Sequence, residues 1–345
     1  MDDVALLEGL LKRYSPSHSE QVAVSYLIEA MAAMGYQAGT DGAGNAVGRR
    51  GDGPDEVMLL GHIDTVPGFI EVRRDGDLLF GRGAVDAKGP LACFAAAGAR
   101  VSPPPGWHIT VIGAVGEESQ SHGALYLRER YHPVHLVIGE PSKWDHITLG
   151  FKGSLWADYT MRVSMAHTAS GLESAPEAAV RFWNALKTWC DSVNPPGAGP
   201  FNQLTATLRG MDSSSDGFEE VAKLHIGIRL PPPVSPEQVI DKMQGLKGAG
   251  ELELSEPIPA YKAEKNTALV RAFLTSVRES SGTPVFSYKT GTSDMNLVAP
   301  VWGCPTVAYG PGDSTLDHTP GEHISVQEYL RSIEVVEGVI QKLTG

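Results

Sequence analysis

Four short apolar runs along the chain stop at glycine, and polar side chains with metal-binding or catalytic potential follow at or near each stop. The runs read VMLLGHID (57–64), ITVIGAVGEE (109–118), VHLVIGEP (134–141) and PTVAYGPGD (305–313). Continuous apolar runs of this length are typical of buried strands. In open α/β sheets the carboxyl ends of strands line the crevice where ligands bind. We therefore expect the polar side chains at these strand ends to converge on one site.

Helical patterns alternate with these strands over the first part of the chain. Apolar residues recur at helical spacing in DVALLEGLLKRY, SEQVAVSYLIEAMAAMGY, PLACFAAAGARV and GALYLRERY. Ser19 with Glu20 indicates the start of the second helix, and Gly35 its end. Helices and strands in alternation predict an α/β fold with a mostly parallel sheet.

A second pattern begins at about Lys152. Two-faced strands (SLWADYTMRVSM, FNQLTATLRGM, VAKLHIGIRL, LELSEPI) alternate with two amphipathic helices, the second capped by Ser235. The β-α-β-β-α-β order is that of a small antiparallel α+β module. After Glu264 the α/β pattern returns and ends in a long helix from Ser325. We predict one α/β domain from residues 1–151 and 259–345, with an α+β domain, residues 152–258, inserted into it.

Composition and charge narrow the class of protein. A chain of 345 residues with 42% apolar residues is long enough for two domains. Its net charge of −13 disfavours nucleic acid and anionic membranes as partners. No run reaches the ~18 apolar residues of a membrane span, and the N-terminal MDDVALLEGLLKRY lacks a signal peptide's basic start. Three distant cysteines, Cys93, Cys190 and Cys304, fit a reducing compartment. We expect a soluble cytoplasmic protein.

The strand-end residues have the donors that two divalent cations need. They are His62, Asp86 in GRGAVDAKGP, the pair Glu117 and Glu118, Glu140, and His318 in LDHTPGEHI. A carboxylate such as Asp86 can bridge two cations, and Asp64 can hold the His62 imidazole in one tautomer. Of the two adjacent glutamates, one can bind metal while the other takes a proton from the attacking water.

Each of these signals alone has a common structural explanation. An isolated histidine at a strand end is usually a surface residue, an aspartate after glycines is usually a turn residue, and paired glutamates often begin an exposed helix. His323 also competes with His318 as the late ligand, although it stands at the entry to the last helix. The conjunction of six such residues, in order and beside strand ends, indicates a binuclear metallohydrolase.

The same residues closely resemble the motifs of the M20 family of metallopeptidases and deacylases. The family pattern is H-x-D, then G-R-G-x-x-D-x-K-G, then E-E, then an acidic residue, then a late histidine, and this chain meets it without a gap. The resemblance covers essentially the whole chain. It implies a catalytic domain that holds two zinc or cobalt ions, manganese being a further candidate. The peptide bond after the bridging aspartate, Asp86–Ala87, is expected to be cis.

The resemblance also implies a role for each residue of the metal site. One metal is bound by His62 and Glu140, the other by Glu118 and His318, and Asp86 bridges them. Asp64 orients His62, and Glu117 is the general acid/base.

The inserted domain then corresponds to the lid or dimerisation domain of a homodimer. Its SMAHTASG segment (164–171) matches the family's lid motif, in which His167 crosses the interface and helps to hold the carbonyl oxygen of the partner's substrate. Arg229 and the GTSD stretch (291–294), chiefly its Gly291, Thr292 and Ser293, correspond to positions near the substrate carboxylate.

Within the family, GHIDTVPG, GRGAVDAKGP and GEPSKWDHITLGFKG are most similar to hydrolases that act on an amino-group carrier protein. Those enzymes release lysine or ornithine from the C-terminal glutamate of this small acidic protein, and are also described as N-acetyl-lysine deacetylases. The alternatives are an acetylornithine- or succinyl-diaminopimelate-type deacylase, which usually has Met where this chain has Ala87, or a dipeptidase. A non-catalytic binding module is disfavoured because Glu117 is present. The sequence leaves lysine and ornithine open.

An acidic carrier would need local basic residues, because the chain itself is acidic. The candidates near the metal-bearing loops are Arg73, Arg74, Arg82, Lys143 and Lys152.

Overall fold

The structure is a computed structural model that describes residues 2–345. Its strands are, in chain order, β1 (Gln37–Thr40), β2 (Ala46–Gly51), β3 (Asp55–His62), β4 (Arg73–Asp75), β5 (Leu78–Phe80), β6 (Trp107–Ala114), β7 (His135–Gly139), β8 (His146–Phe151), β9 (Gly153–Ser164), β10 (Thr205–Ser215), β11 (Glu219–Leu230), β12 (Glu251–Leu254), β13 (Tyr261–Lys262), β14 (Val285–Lys289), β15 (Thr306–Tyr309) and β16 (His323–Ser325).

The α-helices are α1 (Asp3–Leu11), α2 (Gln21–Ala33), α3 (Lys88–Arg100), α4 (His122–Arg128), α5 (Ala175–Val193), α6 (Pro236–Leu246), α7 (Ala268–Glu279), α8 (Asp294–Trp302) and α9 (Val326–Thr344). Short 3-10 turns occupy Thr168–Ser170, Pro200–Asn202 and Ser314–Leu316. The chain forms two compact units. The first comprises the residues up to 150 together with 263–288 and 293–345, and the second comprises 151–262 and 289–292.

The first unit is built on a mixed sheet with a parallel centre. Its strand order is β1-β2-β6-β3-β7-β15-β8, with β14 also paired to β8. The contacts of β3 with β6 and β7, and of β7 with β15, are parallel, whereas β1, β2 and β8 join in antiparallel pairs. The α/β class with a mostly parallel central sheet is confirmed. The antiparallel edge strands β1 and β2 and the strand β8 were not predicted.

The core of this unit lies around α3, which packs against β3, β6 and β7. Every position of β7 is buried, as are seven of the eight positions of β3. Helices α1 and α9 pack on α3, and α2 packs on β1 and β2. Burying a single Leu, Ile or Val side chain stabilises a fold by about 1.5–3 kcal/mol, so these strands are the rigid base on which the loops of the site rest.

The second unit is a four-stranded antiparallel sheet of order β10-β11-β9-β12 with helices α5 and α6. Strand β9 alternates buried and exposed positions, as its sequence pattern predicts. The buried side chains of the sheet and of both helices form one apolar core that includes Leu155, Phe182, Ile226 and Met243. Its role as a lid or dimerisation domain stays a prediction.

Two of the three predicted helix starts are confirmed by their capping geometry. Ser235 forms a capping box with Gln238 at the start of α6, and Ser325 accepts the backbone N–H of Glu328 at the start of α9. The third start, predicted at Ser19 with Glu20, is correct in position but has no side-chain cap. Helix α2 begins at Gln21 with Glu20 as its N-cap, and the Ser19 N–H donates to the carbonyl of Pro16 in the preceding turn.

Candidate metal centre

The parallel strands end at nearly the same level, and this brings their following residues together. Gly61 pairs in register with Gly113 on one side and with Gly139 on the other. A Cβ atom on Gly139 would lie 3.0 Å from the Cα of Gly61 and from the ring of Phe94. Glycine at these strand ends therefore permits the close approach of backbone on which the convergence of the loops depends.

Asp86 lies between the two histidines that the sequence predicts as ligands. Its Oδ1 is 3.0 Å from His62 Nε2, and its Oδ2 is 3.0 Å from His318 Nε2. The Asp86–Ala87 peptide bond is cis, as the resemblance led us to expect. A carboxylate that presents one oxygen to each of two imidazoles has the arrangement required of a bridging ligand.

The remaining predicted ligands surround this carboxylate unequally. Glu118 Oε1 lies 3.0 Å from His318 Nε2, and the donor atoms of Asp86, Glu118 and His318 all lie within 4.8 Å of one another. The donor atoms of His62, Glu117 and Glu118 form a second such group, and Glu117 Oε2 is 4.0 Å from His62 Nε2. Glu140 is buried but belongs to neither group.

Asp64 contacts His62 chiefly through its backbone. The Nδ1 atom of His62 lies 3.1 Å from the Asp64 carbonyl oxygen and 3.5 Å from its carboxylate. The carboxylate itself accepts the backbone N–H groups of Glu117 (3.0 Å) and Glu118 (3.1 Å) and the hydroxyl of Ser17 (2.7 Å). Asp64, which is completely buried, thus fixes both the imidazole and the loop that carries the two glutamates.

Burial and crowding of carboxylates shift the acid-base properties of the site. Burial raises the pKa of Glu117 and of Glu140 well above the usual value, and Coulombic repulsion from neighbouring carboxylates adds to the shift. Burial likewise raises the pKa of Glu118. Several acidic groups that resist ionisation in one buried place favour the presence of a cation, which would reverse these shifts.

The pKa of Asp86 is lowered and those of His62 and His318 are raised, so these three groups favour their charged forms. Burial alone would raise the pKa of Asp86, but contacts with His318 and His62 hold that pKa well below its usual range. The same contacts, with Asp86 and Glu118, raise the pKa of His318 to about 10. Burial lowers the pKa of His62, yet Glu117, Asp64 and Asp86 outweigh this effect and raise it well above the ordinary value.

The late histidine contacts the site and its competitor does not. His318 contacts Asp86 and Glu118, whereas His323 turns its Nδ1 to the carbonyl of Gly321 and its ring to Phe80. His318 has a φ of +61°, which is uncommon for a residue other than glycine.

The predicted residues of the second unit form two local arrangements. His167 is exposed, and its Nδ1 accepts the N–H of Ala169 at 3.1 Å, which leaves Nε2 as the protonated nitrogen of the neutral ring. Arg229 donates to the hydroxyl of Thr292 at 2.9 Å, and that hydroxyl donates to the carbonyl of Lys152. Gly291 precedes this threonine in the same unit.

Ser293, which lies in the first unit, has a structural use. Its hydroxyl and backbone form a capping box with Asn296 at the start of α8. The next residue, Asp294, is buried, and its Oδ1 has no hydrogen-bond partner among the described residues. Burial raises the pKa of Asp294 to about 7. Asp294 is the last residue of the predicted GTSD stretch, and its burial at the N-terminus of α8 was not indicated by the sequence.

The predicted basic surface is only partly correct. Arg82 and Lys152 are 7% and 2% exposed, so neither can attract a partner at the surface. Arg82 pairs with Glu322, and the Lys152 ammonium donates to the carbonyl of Gln203. Arg73, Arg74 and Lys143 are exposed.

Two further observations concern the helices and the cysteines. Over residues 2–345, no helix combines the length and apolar character that crossing a membrane requires. Cys93, Cys190 and Cys304 are buried free thiols.

Comparison with known proteins gives consistent results for the sequence. The model of "Peptidase family M20/M25/M40" matches residues 58–342. A "[LysW]-lysine hydrolase" of Deinococcus radiodurans is 43% identical over 340 residues, which cover 96% of this chain and 94% of the relative. A "[LysW]-lysine/[LysW]-ornithine hydrolase" of Sulfurisphaera tokodaii is 28% identical, over 84% of this chain and 82% of its own.

Solved structures show the same fold. An M20 family metallo-carboxypeptidase from Sulfolobus solfataricus superposes with a TM-score of 0.80 at 16% identity, over 99% of both chains. A Bacillus subtilis protein described as a dinuclear metal binding peptidase from the M20 family superposes with a TM-score of 0.73 at 10% identity, over 99% of this chain and 98% of its own. At these identities the likeness concerns the fold alone.

Proposed function

This chain belongs to peptidase family M20/M25/M40, and from that premise we propose that it uses two divalent cations to hydrolyse a carrier-linked amide. The bond is the one between the α-amino group of lysine or ornithine and the C-terminal glutamate of an amino-group carrier protein. The product is the free amino acid, as a step of lysine or arginine biosynthesis. The observation that carries the proposal is the position of Asp86, whose two oxygens each lie 3.0 Å from a different imidazole.

The donor set suits two cations of the zinc type. One imidazole and carboxylates for each ion are donors that Zn²⁺ accepts, and Co²⁺ or Mn²⁺ tolerates them as well. His62, Glu140 and Asp86 would hold one cation, and His318, Glu118 and Asp86 the other. When bound, such cations polarise a carbonyl and lower the pKa of water.

Glu117 is the proposed general acid/base. Its backbone N–H donates to the Asp64 carboxylate at 3.0 Å, and its own carboxylate lies 4.0 Å from His62 Nε2. Glu117 would take a proton from the attacking water and return it to the departing α-amine. A nearby cation would restore its carboxylate form, which burial alone opposes.

His167 is the proposed donor to the oxyanion, supplied by the partner subunit of a homodimer. In this chain its Nδ1 accepts the Ala169 N–H, so the neutral ring offers Nε2–H outward from an exposed loop. A donor of this kind stabilises the negative charge that develops on the carbonyl oxygen.

The names of the relatives support the choice of substrate. One is described as acting on lysine and the other on lysine or ornithine, both linked to LysW. Ala87 also supports this choice, because the acetylornithine and succinyl-diaminopimelate deacylases usually have Met at the corresponding position.

The test measures amine release from a panel of substrates. The panel comprises carrier-linked lysine, carrier-linked ornithine, N-acetyl-lysine, N-acetylornithine, N-succinyl-diaminopimelate and a dipeptide. We expect the highest kcat/KM with a carrier-linked amide. The ratio of kcat/KM for the carrier-linked amide to that for the acetylated amino acid should fall as salt is raised from about 50 to 500 mM. Arg73 and Arg74 are exposed, so salt screens their attraction for an acidic carrier. Equal efficiency with an acetylated amino acid at low salt would instead indicate a small-molecule deacylase.

A further inference from the structure

A buried ion pair lies behind two of the proposed metal ligands. Arg82 Nη1 lies 2.8 Å from Glu322 Oε2, and the two side chains are 7% and 1% exposed. Arg82 stands in GRGAVDAKGP, four residues before Asp86, and Glu322 stands four residues after His318. Two charges withdrawn from water need further hydrogen bonds to offset their desolvation. The partners of both side chains show what this pair holds in place.

Glu322 holds the main chain at Asp86. Its second oxygen, Oε1, accepts the backbone N–H of Val85 at 2.9 Å and that of Asp86 at 3.1 Å. Carboxylate hydrogen bonds to backbone N–H groups are among the stronger ones in proteins. The backbone of the proposed bridging residue is therefore fixed from a loop that is distant in sequence.

Arg82 holds the main chain next to His318. Its Nη1 also donates to the carbonyl of Thr319 at 3.3 Å, and its Nε donates to the carbonyl of Gly68 at 2.9 Å. His318 has a φ of +61°, a conformation that a residue other than glycine keeps only where its surroundings impose it. The bond to Thr319 is such a constraint.

The two histidines depend on this support to different extents. His62 ends the buried strand β3 and its side chain is 2% exposed, so packing fixes it. The side chain of His318 is 50% exposed and lies on a loop. Because less of its side chain is packed, the position of His318 depends more on its backbone than that of His62 does.

We propose that Arg82 and Glu322 are positioning residues, which hold Asp86 and His318 at the spacing that one divalent cation requires. The inference rests on the proposed two-cation site. Neither side chain touches the reacting atoms, and both act through the main chain of the ligands. Their loss should weaken the cation held by His318 and Glu118 more than the one held by His62 and Glu140. A purely structural ion pair would not produce this difference.

Two conservative variants test the proposal by metal binding. Glu322→Gln keeps an acceptor oxygen of the same reach but removes the charge opposite Arg82. Arg82→Lys keeps a charge and loses the fork that reaches Thr319 and Gly68. Metal-free protein is titrated with zinc in a calorimeter, and the cobalt-loaded protein is examined by visible absorption. We expect one of the two zinc sites to weaken by roughly 10–100-fold, as losses behind metal ligands usually do. The cobalt spectrum should change at full occupancy.

Glu56→Gln provides the matched control. Glu56 is a buried carboxylate in β3 that accepts the hydroxyl of Thr110 and lies 3.3 Å from His108. Its loss should lower the thermal stability of the protein and leave both zinc affinities and the cobalt spectrum unchanged.

The outcomes separate this inference from the proposed function. A wild-type chain that binds no zinc overturns the proposed function. A wild-type chain that binds two zinc ions, with Glu322→Gln and Arg82→Lys variants that bind both as tightly, overturns the positioning role alone. Equal weakening of both sites, or weakening matched by Glu56→Gln, also overturns it. Where Glu322→Gln does not fold, the Arg82→Lys titration decides.

Discussion

Among the individual residues, Glu117 is the one on which the proposed chemistry depends most. Its neighbour Glu118 lies 3.0 Å from His318, while Glu117 Oε2 lies 4.0 Å from His62 Nε2. We propose that Glu118 is a metal ligand and Glu117 the base. The position of the two glutamates in the sequence does not distinguish these roles, because both follow the same strand, and only the family resemblance assigns them.

The Glu117→Gln variant tests this division. The amide cannot accept a proton from water, so kcat with the carrier-linked substrate should fall by roughly 10²–10⁴-fold. Zinc content, measured by atomic absorption, should stay at the wild-type level. Glu118→Gln is the matched comparison, and it should lose metal. A Glu117→Gln enzyme that keeps both its zinc and more than about a tenth of its kcat would show that another group is the base.

The raised pKa values predict how the metal-free protein responds to pH. The pKa of Asp294 rises from 3.8 to about 7 and that of His318 from 6.5 to about 10. Such groups bind their proton more tightly in the folded than in the unfolded chain, so their stabilisation is lost as pH rises. Asp86, with a lowered pKa, contributes above its unfolded value and loses this only in acid.

The melting temperature of the metal-free protein should therefore fall as pH rises from about 5 to 10. The melting temperature of the zinc-loaded protein should change less with pH, because bound cations stabilise the ionised form of the carboxylates. Calorimetric scans of both forms across this range give the comparison. A metal-free melting temperature that rises over the same interval would contradict the assigned shifts.

Among the elements, the loops after β3 and β6 are joined by Asp64. The H-x-D motif predicts only that Asp64 orients His62. In the fold its carboxylate also accepts two backbone N–H groups from the glutamate loop. The sequence could not predict this contact, because it depends on the parallel register of β3 and β6.

Asp64→Ala should therefore affect both metal binding and turnover. We expect zinc affinity to fall by roughly 10–100-fold, with a further loss of kcat at saturating zinc because Glu117 is no longer fixed. Ser17→Ala removes a single hydrogen bond to the same carboxylate, of 2.7 Å, and should have a smaller effect in the same direction. An Asp64→Ala protein with wild-type zinc affinity would remove Asp64 from the site's support.

Other elements show where sequence patterns succeed and fail. Helices α1, α2 and α3 were predicted close to their observed bounds, because apolar residues recur at helical spacing over several turns. The three-residue strands β4, β5 and β16 were missed, since so few residues cannot display a period. Helix α8 was missed as well, because Pro300 lies inside it and proline argues against a helix interior.

The residues of the candidate site were likewise predictable only in part. His62, Glu117, Glu118 and Glu140 were identified because they follow recognisable strands, whereas Asp86 and His318 were identified from their motifs. The supporting contacts of Ser17, Arg82 and Glu322 were not, because they join loops that are distant in the sequence. Arg82 was predicted to lie at the surface, because the sequence around an arginine between two glycines does not show that it pairs with a buried carboxylate.

For the whole molecule, the main prediction concerns a homodimer. If the partner subunit's His167 completes each site, subunits with His167→Ala and subunits with Glu117→Gln should restore activity when mixed. In such a mixed dimer, the site that retains Glu117 also receives an intact histidine. Each variant alone serves as the inactive control, and native mass spectrometry shows whether mixed dimers form. Mixed dimers without activity would refute the contribution in trans.

The proposed hydrolysis depends on two cations held around Asp86. The most direct measurement follows lysine release from the carrier-linked substrate while zinc is added stepwise to chelated protein. We predict no release from the metal-free chain and full activity only when two equivalents are bound, with an Asp86→Ala variant inactive throughout. Lysine release by protein verified to be free of metal would show that hydrolysis does not depend on the two cations.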